Sequence, residues 1–111
     1  MITIRHAVMT DLQTFLGLLR HLHPCEAGPD PDKARAAFVR MLGGDQNIVF
    51  LAVSGDALAA SCTLTIIPNL TRNARPYAVI ENVVTDPAFR RQGIGHAVLN
   101  AAQDAAWNAD C

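Results

Sequence analysis

Apolar residues recur along this chain with two different periods, and each period predicts one kind of element. Leu12, Phe15, Leu16 and Leu19 stand at i, i+3, i+4 and i+7, which places them on one face of an amphipathic helix. The segment Tyr77–Thr85, YAVIENVVT, is rich in β-branched residues and is the strongest strand signal in the chain. The pattern therefore predicts helices and strands in one chain.

Turn and cap residues divide the rest of the chain into short elements. Thr10 offers an N-cap to the first helix and Asp32 to the second, and Gly43 and Gly44 end the second helix. The predicted strands are Ile2–His6, Asn47–Val53, Ala57–Ile67 and Tyr77–Thr85, and the last predicted helix is Gly95–Asn108. This β-α-α-β-β-β-α order predicts an α+β fold in which two helices precede an antiparallel meander and one follows it.

The composition limits the class of protein. With 111 residues, 50% of them hydrophobic and 17% charged, we expect a single domain over residues 1–111. A formal net charge of −1 gives no support for nucleic-acid binding. We recognise no secretory signal, and no apolar run approaches the ~18 residues of a membrane span. Because Cys25, Cys62 and Cys111 are odd in number and widely spaced, we expect reduced thiols in a cytoplasmic protein.

One stretch combines charge, glycine and a helix start. In FRRQGIGHAVLNAAQ, Arg90 and Arg91 precede Gly93 and Gly95, and an alanine-rich helical run follows. A helix N-terminus offers unpaired N–H groups and a partial positive charge, and glycine lets a ligand approach the backbone closely. The stretch therefore predicts a cradle for phosphate or pyrophosphate.

Two common phosphate-binding motifs fit this stretch poorly. Residues 93–98 follow a G-x-G-x-x-V pattern, which lacks the third glycine of the dinucleotide fingerprint. That fingerprint also follows its strand directly in a parallel unit, whereas residues 86–92 intervene here after a predicted meander. No G-K-[ST] sequence is present, so a Walker loop is excluded.

A third motif fits both the residues and their context. Arg90–Gly95, RRQGIG, matches the [RQ]-x-x-G-x-[GA] motif of the GNAT superfamily of N-acetyltransferases. As in that superfamily, the motif follows a strand and an Asp-Pro turn and leads into a helix. The order of elements resembles the first part of the GNAT fold, whose sheet is mixed. The specific sequence similarity extends over Ile80–Ala101.

The resemblance implies acetyl-coenzyme A as cosubstrate and direct transfer of the acetyl group to the primary amine of a small molecule. In members of the superfamily the fourth strand bulges, its free backbone groups pair with the pantetheine arm, and the loop N–H groups hold the pyrophosphate. The implied coenzyme contacts are Val83, Val84, Thr85, Arg90, Arg91, Gln92, Gly93, Ile94, Gly95 and His96. The alternatives are a solvated basic turn for the two arginines and an ordinary surface position for His96.

Glu81 is a carboxylate in the middle of an apolar strand, where such residues are depleted. By strict alternation it lies on the face opposite to Ile80, Asn82 and Val84. The resemblance implies a general base that removes a proton from the amine. The alternative is a solvated residue or an ion pair with an arginine. A backbone N–H freed by a bulge near Val83 is the expected donor to the oxyanion.

The segment after the first helix raises the question of a metal. His21, His23 and Cys25 alternate, but no fourth ligand has suitable spacing and Pro24 stiffens the run, so we predict no metal site. The resemblance to the GNAT superfamily implies that the segment between the first two helices borders the acceptor pocket, as it often does in that superfamily.

The chain also departs from the superfamily pattern, in which a further β-α-β-β segment usually follows. That segment supplies the other wall of the coenzyme cleft, part of the acceptor pocket and often a tyrosine that acts as general acid. Without it the edge of the Tyr77–Thr85 strand is unpaired, which favours association, so we expect a homodimer or a domain-swapped assembly. The alternative is that the chain is a fragment of a longer enzyme. Two functions therefore stay open: an N-acetyltransferase, or a non-catalytic module that binds coenzyme A or self-associates. Acetyl-CoA-dependent thiol release would distinguish them.

Overall fold

A computed structural model describes residues 1–111, and its four strands form one sheet in the order β1-β2-β3-β4. The strands are β1 (Thr3–His6), β2 (Asn47–Ser54), β3 (Ala57–Ile67) and β4 (Tyr77–Thr85), and the helices are α1 (Leu12–Leu19), α2 (Pro31–Gly43), α3 (Thr71–Ala74) and α4 (Ile94–Asn108). The α+β class and the order of the main elements are confirmed. All three strand pairings are antiparallel, so the sheet described here is not itself mixed.

Helices cover both faces of the sheet, because successive side chains of a strand point to opposite faces. On one face Phe50, Cys62 and Leu64 pack against Val98 and Ala102 of α4. The alanines of α4 bring this helix close to the sheet, and the contact buries Val98 and Ala102 completely. None of the helices combines the length and the apolarity that a bilayer crossing requires.

The opposite face of the sheet carries α1 and α2. Val49 and Leu51 of β2 pack there against Phe15 of α1 and Phe38 of α2. The two phenylalanine rings are 5.9 Å apart between centroids and are tilted by 38°. The sheet is therefore the middle of three layers, and only the outer edges of β1 and β4 are left without a strand neighbour.

The start of α1 differs from the predicted Thr10 cap. A 3₁₀ turn, Met9–Asp11, precedes the helix, and the Asp11 carboxylate accepts a hydrogen bond of 2.7 Å from the Val8 N–H. Arg5 of β1 donates two further bonds of 2.8 Å to the same carboxylate. Asp11, which is also held by Arg5, therefore satisfies the backbone at this turn in place of the predicted Thr10.

Asp11→Asn is expected to lower the free energy of unfolding by about 1 kcal/mol at pH 7. The Arg5 hydrogen bonds, with the Val8 N–H bond, hold the pKa of Asp11 below its ordinary value. Because the folded pKa is the lower one, the stabilisation is complete above the pKa of the unfolded state and is lost as the pH falls through the folded pKa. Urea unfolding at neutral pH and at pH about 2 measures this difference. A deficit of equal size at both pH values would contradict it.

The start of α2 also lies at a different residue from the prediction. Asp30, not Asp32, is the N-cap, and its carboxylate accepts a 3.1 Å hydrogen bond from the Lys33 N–H. Pro31 explains the difference, because its fixed φ suits the first helical position and it needs no N–H partner there. At the other end Gly44 is extended, with φ −113°, and does not form a left-handed cap.

Candidate functional site

A bulge interrupts β4 at Asn82 and Val83, which together oppose Cys62 of β3. Asn82 has φ +52°, a left-handed conformation that is uncommon for a residue other than glycine. The Ile66 N–H donates to the Gln46 carbonyl at the β2 side of β3, so by alternation the backbone groups of Cys62 also point toward β2. The two bulge residues are thus opposite a residue whose backbone groups point away from them.

The bulge changes which face each later residue of β4 occupies. Glu81 is paired with Thr63 and Val84 with Ser61, and directly paired residues share a face. The prediction that Val84 lies with Ile80, opposite to Glu81, is therefore wrong. The extra residue shifts the alternation by one position, which brings Glu81 and Val84 to the face that carries α1 and α2.

The outer edge of β4 presents backbone groups to solvent. The Asp86 N–H donates to the Ala59 carbonyl of β3 over 2.8 Å. The backbone groups of Asp86 therefore point toward β3. Because successive residues of a strand point their N–H and C=O groups to alternate sides, those of Thr85 point to the outer edge of the sheet. This strand edge can pair with an extended ligand in the way that a further strand would.

The loop after β4 ends in a helix N-terminus with free donors. Gly93 is the N-cap of α4 with φ +75°, and Arg91 is also left-handed with φ +65°. The first intrahelical bond joins the Ala97 N–H to the Gly93 carbonyl at 3.1 Å. The N–H groups of residues 94–96 precede that bond, so they have no carbonyl of their own helix to pair with. The helix begins at Ile94, one residue before the predicted start.

Gly95 and Gly93 serve two different purposes in this loop. A Cβ at Gly95 would lie 2.9 Å from Oγ1 of Thr85, so the missing side chain lets the first turn of α4 approach the end of β4. A Cβ at Gly93 would meet no atom within 4 Å, and there it is the left-handed backbone that requires glycine. The two glycines therefore place the free N–H groups of α4 beside the outward-facing backbone of β4.

The polar residues predicted for this site lie on its surface. Arg90, Arg91, Gln92 and His96 are exposed, and neither arginine takes part in the two ion pairs of the structure. Two cationic side chains without acidic partners therefore accompany the free N–H groups, which favours an anion at this position. Glu81 is exposed and likewise has no ion-pair partner.

The segment after α1 lies near Asp86, the first residue of the loop between β4 and α4. Nε2 of His21 is 3.8 Å from Oδ2 of Asp86, whose Oδ1 accepts a 2.8 Å bond from the Ala88 N–H. The structure brings together no group of three or more His, Cys, Asp or Glu side chains that could hold a metal ion. Cys25 is exposed, whereas burial raises the pKa of the Cys62 thiol to about 11 and keeps it protonated at neutral pH.

A cavity of about 380 Å³ lies between α1, α2 and the sheet. Its floor is formed by Thr63 and Asn82, so it reaches the bulge of β4, and Lys33 contributes the one charged side chain of its wall. Neither Thr63 nor Asn82 was among the site residues predicted from the sequence. The position of Asn82 beside Glu81 in the strand was the available signal, but the bulge determines on which face of the sheet Asn82 lies.

A family model described as the acetyltransferase (GNAT) family matches residues 15–111 of the chain. Among curated proteins, a glucosamine 6-phosphate N-acetyltransferase from Trypanosoma brucei brucei is 33% identical over 90 residues. The match covers 81% of this chain and 61% of the relative, so the chain spans less than two thirds of that protein's length.

Solved structures give the same similarity at the level of the fold. A proposed acetyltransferase from Agrobacterium tumefaciens has 40% sequence identity and a TM-score of 0.92, with 98% of this chain and 76% of that chain covered. An acetyltransferase from Trypanosoma brucei has 27% identity and a TM-score of 0.87, with 100% and 78% covered.

Proposed function

The chain belongs to the GNAT family of acetyltransferases, and we propose that it transfers an acetyl group from acetyl-coenzyme A directly to the primary amine of a small molecule. One observation carries the proposal. The unpaired N–H groups at the start of α4 and the end of β4 lie side by side, because Gly95 has no Cβ, which would lie only 2.9 Å from Oγ1 of Thr85. An anionic group and an extended amide-containing arm of one ligand fit such a pair of surfaces.

The residues around this pair fit acetyl-coenzyme A by their chemistry. The N–H groups of residues 94–96, together with Arg90 and Arg91, would hold the pyrophosphate. The outer edge of β4 at Val83 and Thr85 would hold the pantetheine amides, and Val84, whose backbone groups point toward β3, lies between them. Gln92, Gly93 and His96 flank the same turn. When bound, the cosubstrate supplies an acetyl thioester, whose carbonyl carbon is the electrophile.

Glu81 is the proposed general base. It lies one residue before the bulge, on the face shared with Thr63, and it is accessible to a ligand. In the proposed reaction its carboxylate takes a proton from the acceptor ammonium, directly or through water. The neutral amine attacks the thioester carbon and a C–N bond forms. The C–S bond then breaks, coenzyme A leaves as the thiolate, and the proton lost by the attacking nitrogen converts this thiolate to the free thiol. A backbone N–H of the Asn82–Val83 bulge would stabilise the oxyanion.

The name of the curated relative suggests a first acceptor, glucosamine 6-phosphate. Because the chain spans 61% of that protein, its substrate is a proposal for this chain and is tested as one amine of a panel. Self-association through the β4 edge stays a prediction. It would compete with the pantetheine arm for the same backbone groups.

The test is release of free thiol from acetyl-coenzyme A in the presence of glucosamine 6-phosphate, a polyamine, an amino acid and an arylalkylamine, each supplied separately. We expect thiol release that requires both protein and one class of amine, with the acetylated amine identified by mass spectrometry. Tight binding of acetyl-coenzyme A without release for any amine would support the non-catalytic module. An absence of both binding and release by the folded chain would overturn the proposed function.

A further inference from the structure

The chain contains a single lysine, and this residue lies in the wall of the cavity between α1, α2 and the sheet. Lys33 is the only lysine of the 111 residues, and the other residues counted with it as cationic are all arginines. It is also the only charged residue among those that line the cavity of about 380 Å³. A lysine carries a primary amine, which is the group that the proposed reaction acetylates. The protein therefore holds a primary amine of its own at this cavity.

The ammonium group of Lys33 has no partner in the protein. Lys33 is exposed and takes part in neither of the two ion pairs, and only its backbone N–H makes a hydrogen bond, to Asp30. It lies in the first turn of α2, where a cation opposes the helix dipole and where Asp32 already supplies a negative charge. The ammonium therefore contributes no favourable contact to α2, and its flexible four-carbon stem leaves it free to move.

The cavity extends from Lys33 to the bulge of β4. Asn82, the left-handed residue of that bulge, lines the same cavity as Lys33. Glu81, the proposed base, directly precedes Asn82 in the strand, and the proposed donor to the oxyanion is a backbone N–H of the bulge itself. A thioester held at the bulge would therefore share this cavity with the amine of Lys33.

We propose that the chain acetylates its own Lys33, in a transfer within one molecule that consumes one acetyl-coenzyme A. This inference rests on the proposed acetyl transfer and adds a modification site to it. The Lys33 ammonium gives one proton to the Glu81 carboxylate, and the neutral Nζ attacks the thioester carbon to form a C–N bond. The C–S bond then breaks, and the second proton lost by Nζ converts the coenzyme thiolate to the free thiol. The product is a neutral amide, so the cavity loses its one charged side chain.

The test is incubation of the purified chain with acetyl-coenzyme A and no added amine, followed by mass spectrometry of the intact chain and of its peptides. We expect one acetyl group per chain, on Lys33, and none on the α-amino group of Met1, which precedes the strand at the opposite edge of the sheet from β4. The rate per chain is expected to be independent of protein concentration, because one molecule holds both the amine and the thioester. A rate that rises in proportion to concentration would overturn a transfer within one molecule.

Two variants distinguish a lysine positioned at the cavity from one that is merely reactive. Lys33→Arg keeps the charge but removes the amine, and we expect this variant to stay unmodified. Adding Arg35→Lys to it moves the one lysine two positions along α2, to an exposed residue that does not line the cavity. We expect the double variant to be acetylated more slowly than the wild type by about tenfold or more, because the moved amine is no longer held near the thioester. Equal rates at the two positions would show unspecific chemical acetylation and would overturn the inference.

The remaining outcomes separate this inference from the proposed function. Transfer to an added amine while Lys33 stays unmodified would overturn the inference and leave the proposed function intact. Acetylation of Lys33 without transfer to any added amine would support the inference and contradict a small-molecule acceptor. If a folded chain that binds acetyl-coenzyme A neither modifies Lys33 nor releases thiol with any amine, both the inference and the proposed function are wrong.

Discussion

Gly93→Glu is expected to raise the dissociation constant of acetyl-coenzyme A at least a hundredfold, which corresponds to about 2.8 kcal/mol of binding free energy. The added carboxylate would stand at the N-cap of α4, where the N–H groups of residues 94–96 attract negative charge. It would occupy those donors itself and repel the pyrophosphate. Isothermal titration calorimetry of the purified chain at two salt concentrations measures the effect.

Gly93→Gln is the matched control, because it has the same size and imposes the same left-handed backbone without the charge. A Cβ at this position meets no neighbouring atom, so both variants are expected to lose about 1–2 kcal/mol of stability from the φ of +75° alone. The glutamine variant is expected to bind acetyl-coenzyme A within about tenfold of the wild type. Equal losses of affinity in both variants would contradict a phosphate site at this turn.

The order of the elements could be predicted because it depends on local periodicity. The residues with helical spacing, Leu12 to Leu19, are helical in the structure, and Tyr77–Thr85 is a strand with the predicted bounds. The cap residues could not be predicted in the same way. The Asp11 carboxylate is held by Arg5 of the first strand, a pairing that the helical pattern of the α1 segment does not show.

The bulge in β4 limits what the sequence predicts about the site, because it determines on which face of the sheet the later residues lie. The resemblance implied a bulge in the fourth strand, and the structure has one at Asn82 and Val83. Strict alternation nevertheless assigned Val84 to the wrong face, because one inserted residue reverses every position after it. The coenzyme and catalytic residues stay predictions, since their positions are compatible with the proposed roles but no ligand contact tests them.

The same bulge joins the two halves of the proposed site. It separates Glu81, the proposed base, from Val84 and Thr85, which lead to the start of α4. A cosubstrate along the β4 edge would therefore approach Glu81 at Asn82 and Val83. The motif of Arg90–Gly95 located the coenzyme half in the sequence, whereas the cavity exists only where α1 and α2 pack over the sheet and could not be predicted in that way.

Glu81→Gln is expected to lower kcat a hundred- to a thousandfold at neutral pH, with the dissociation constant of acetyl-coenzyme A unchanged. The glutamine keeps the size of the side chain but cannot accept the proton of the acceptor ammonium. Steady-state thiol release with a saturating amine measures kcat, and calorimetry measures binding. Asp104→Asn, which removes an exposed carboxylate on α4, is the control and is expected to leave both quantities unchanged.

The pH dependence of this deficit distinguishes a base from a residue that only positions the amine. A primary amine has an ordinary pKa of about 10, so its neutral fraction rises about tenfold for each pH unit between 7 and 9. If Glu81 serves to deprotonate the amine, the ratio of wild-type to variant kcat/KM must shrink as the pH rises. A ratio that stays constant from pH 7 to 9 would assign Glu81 to positioning, and the proton would have to leave by another route.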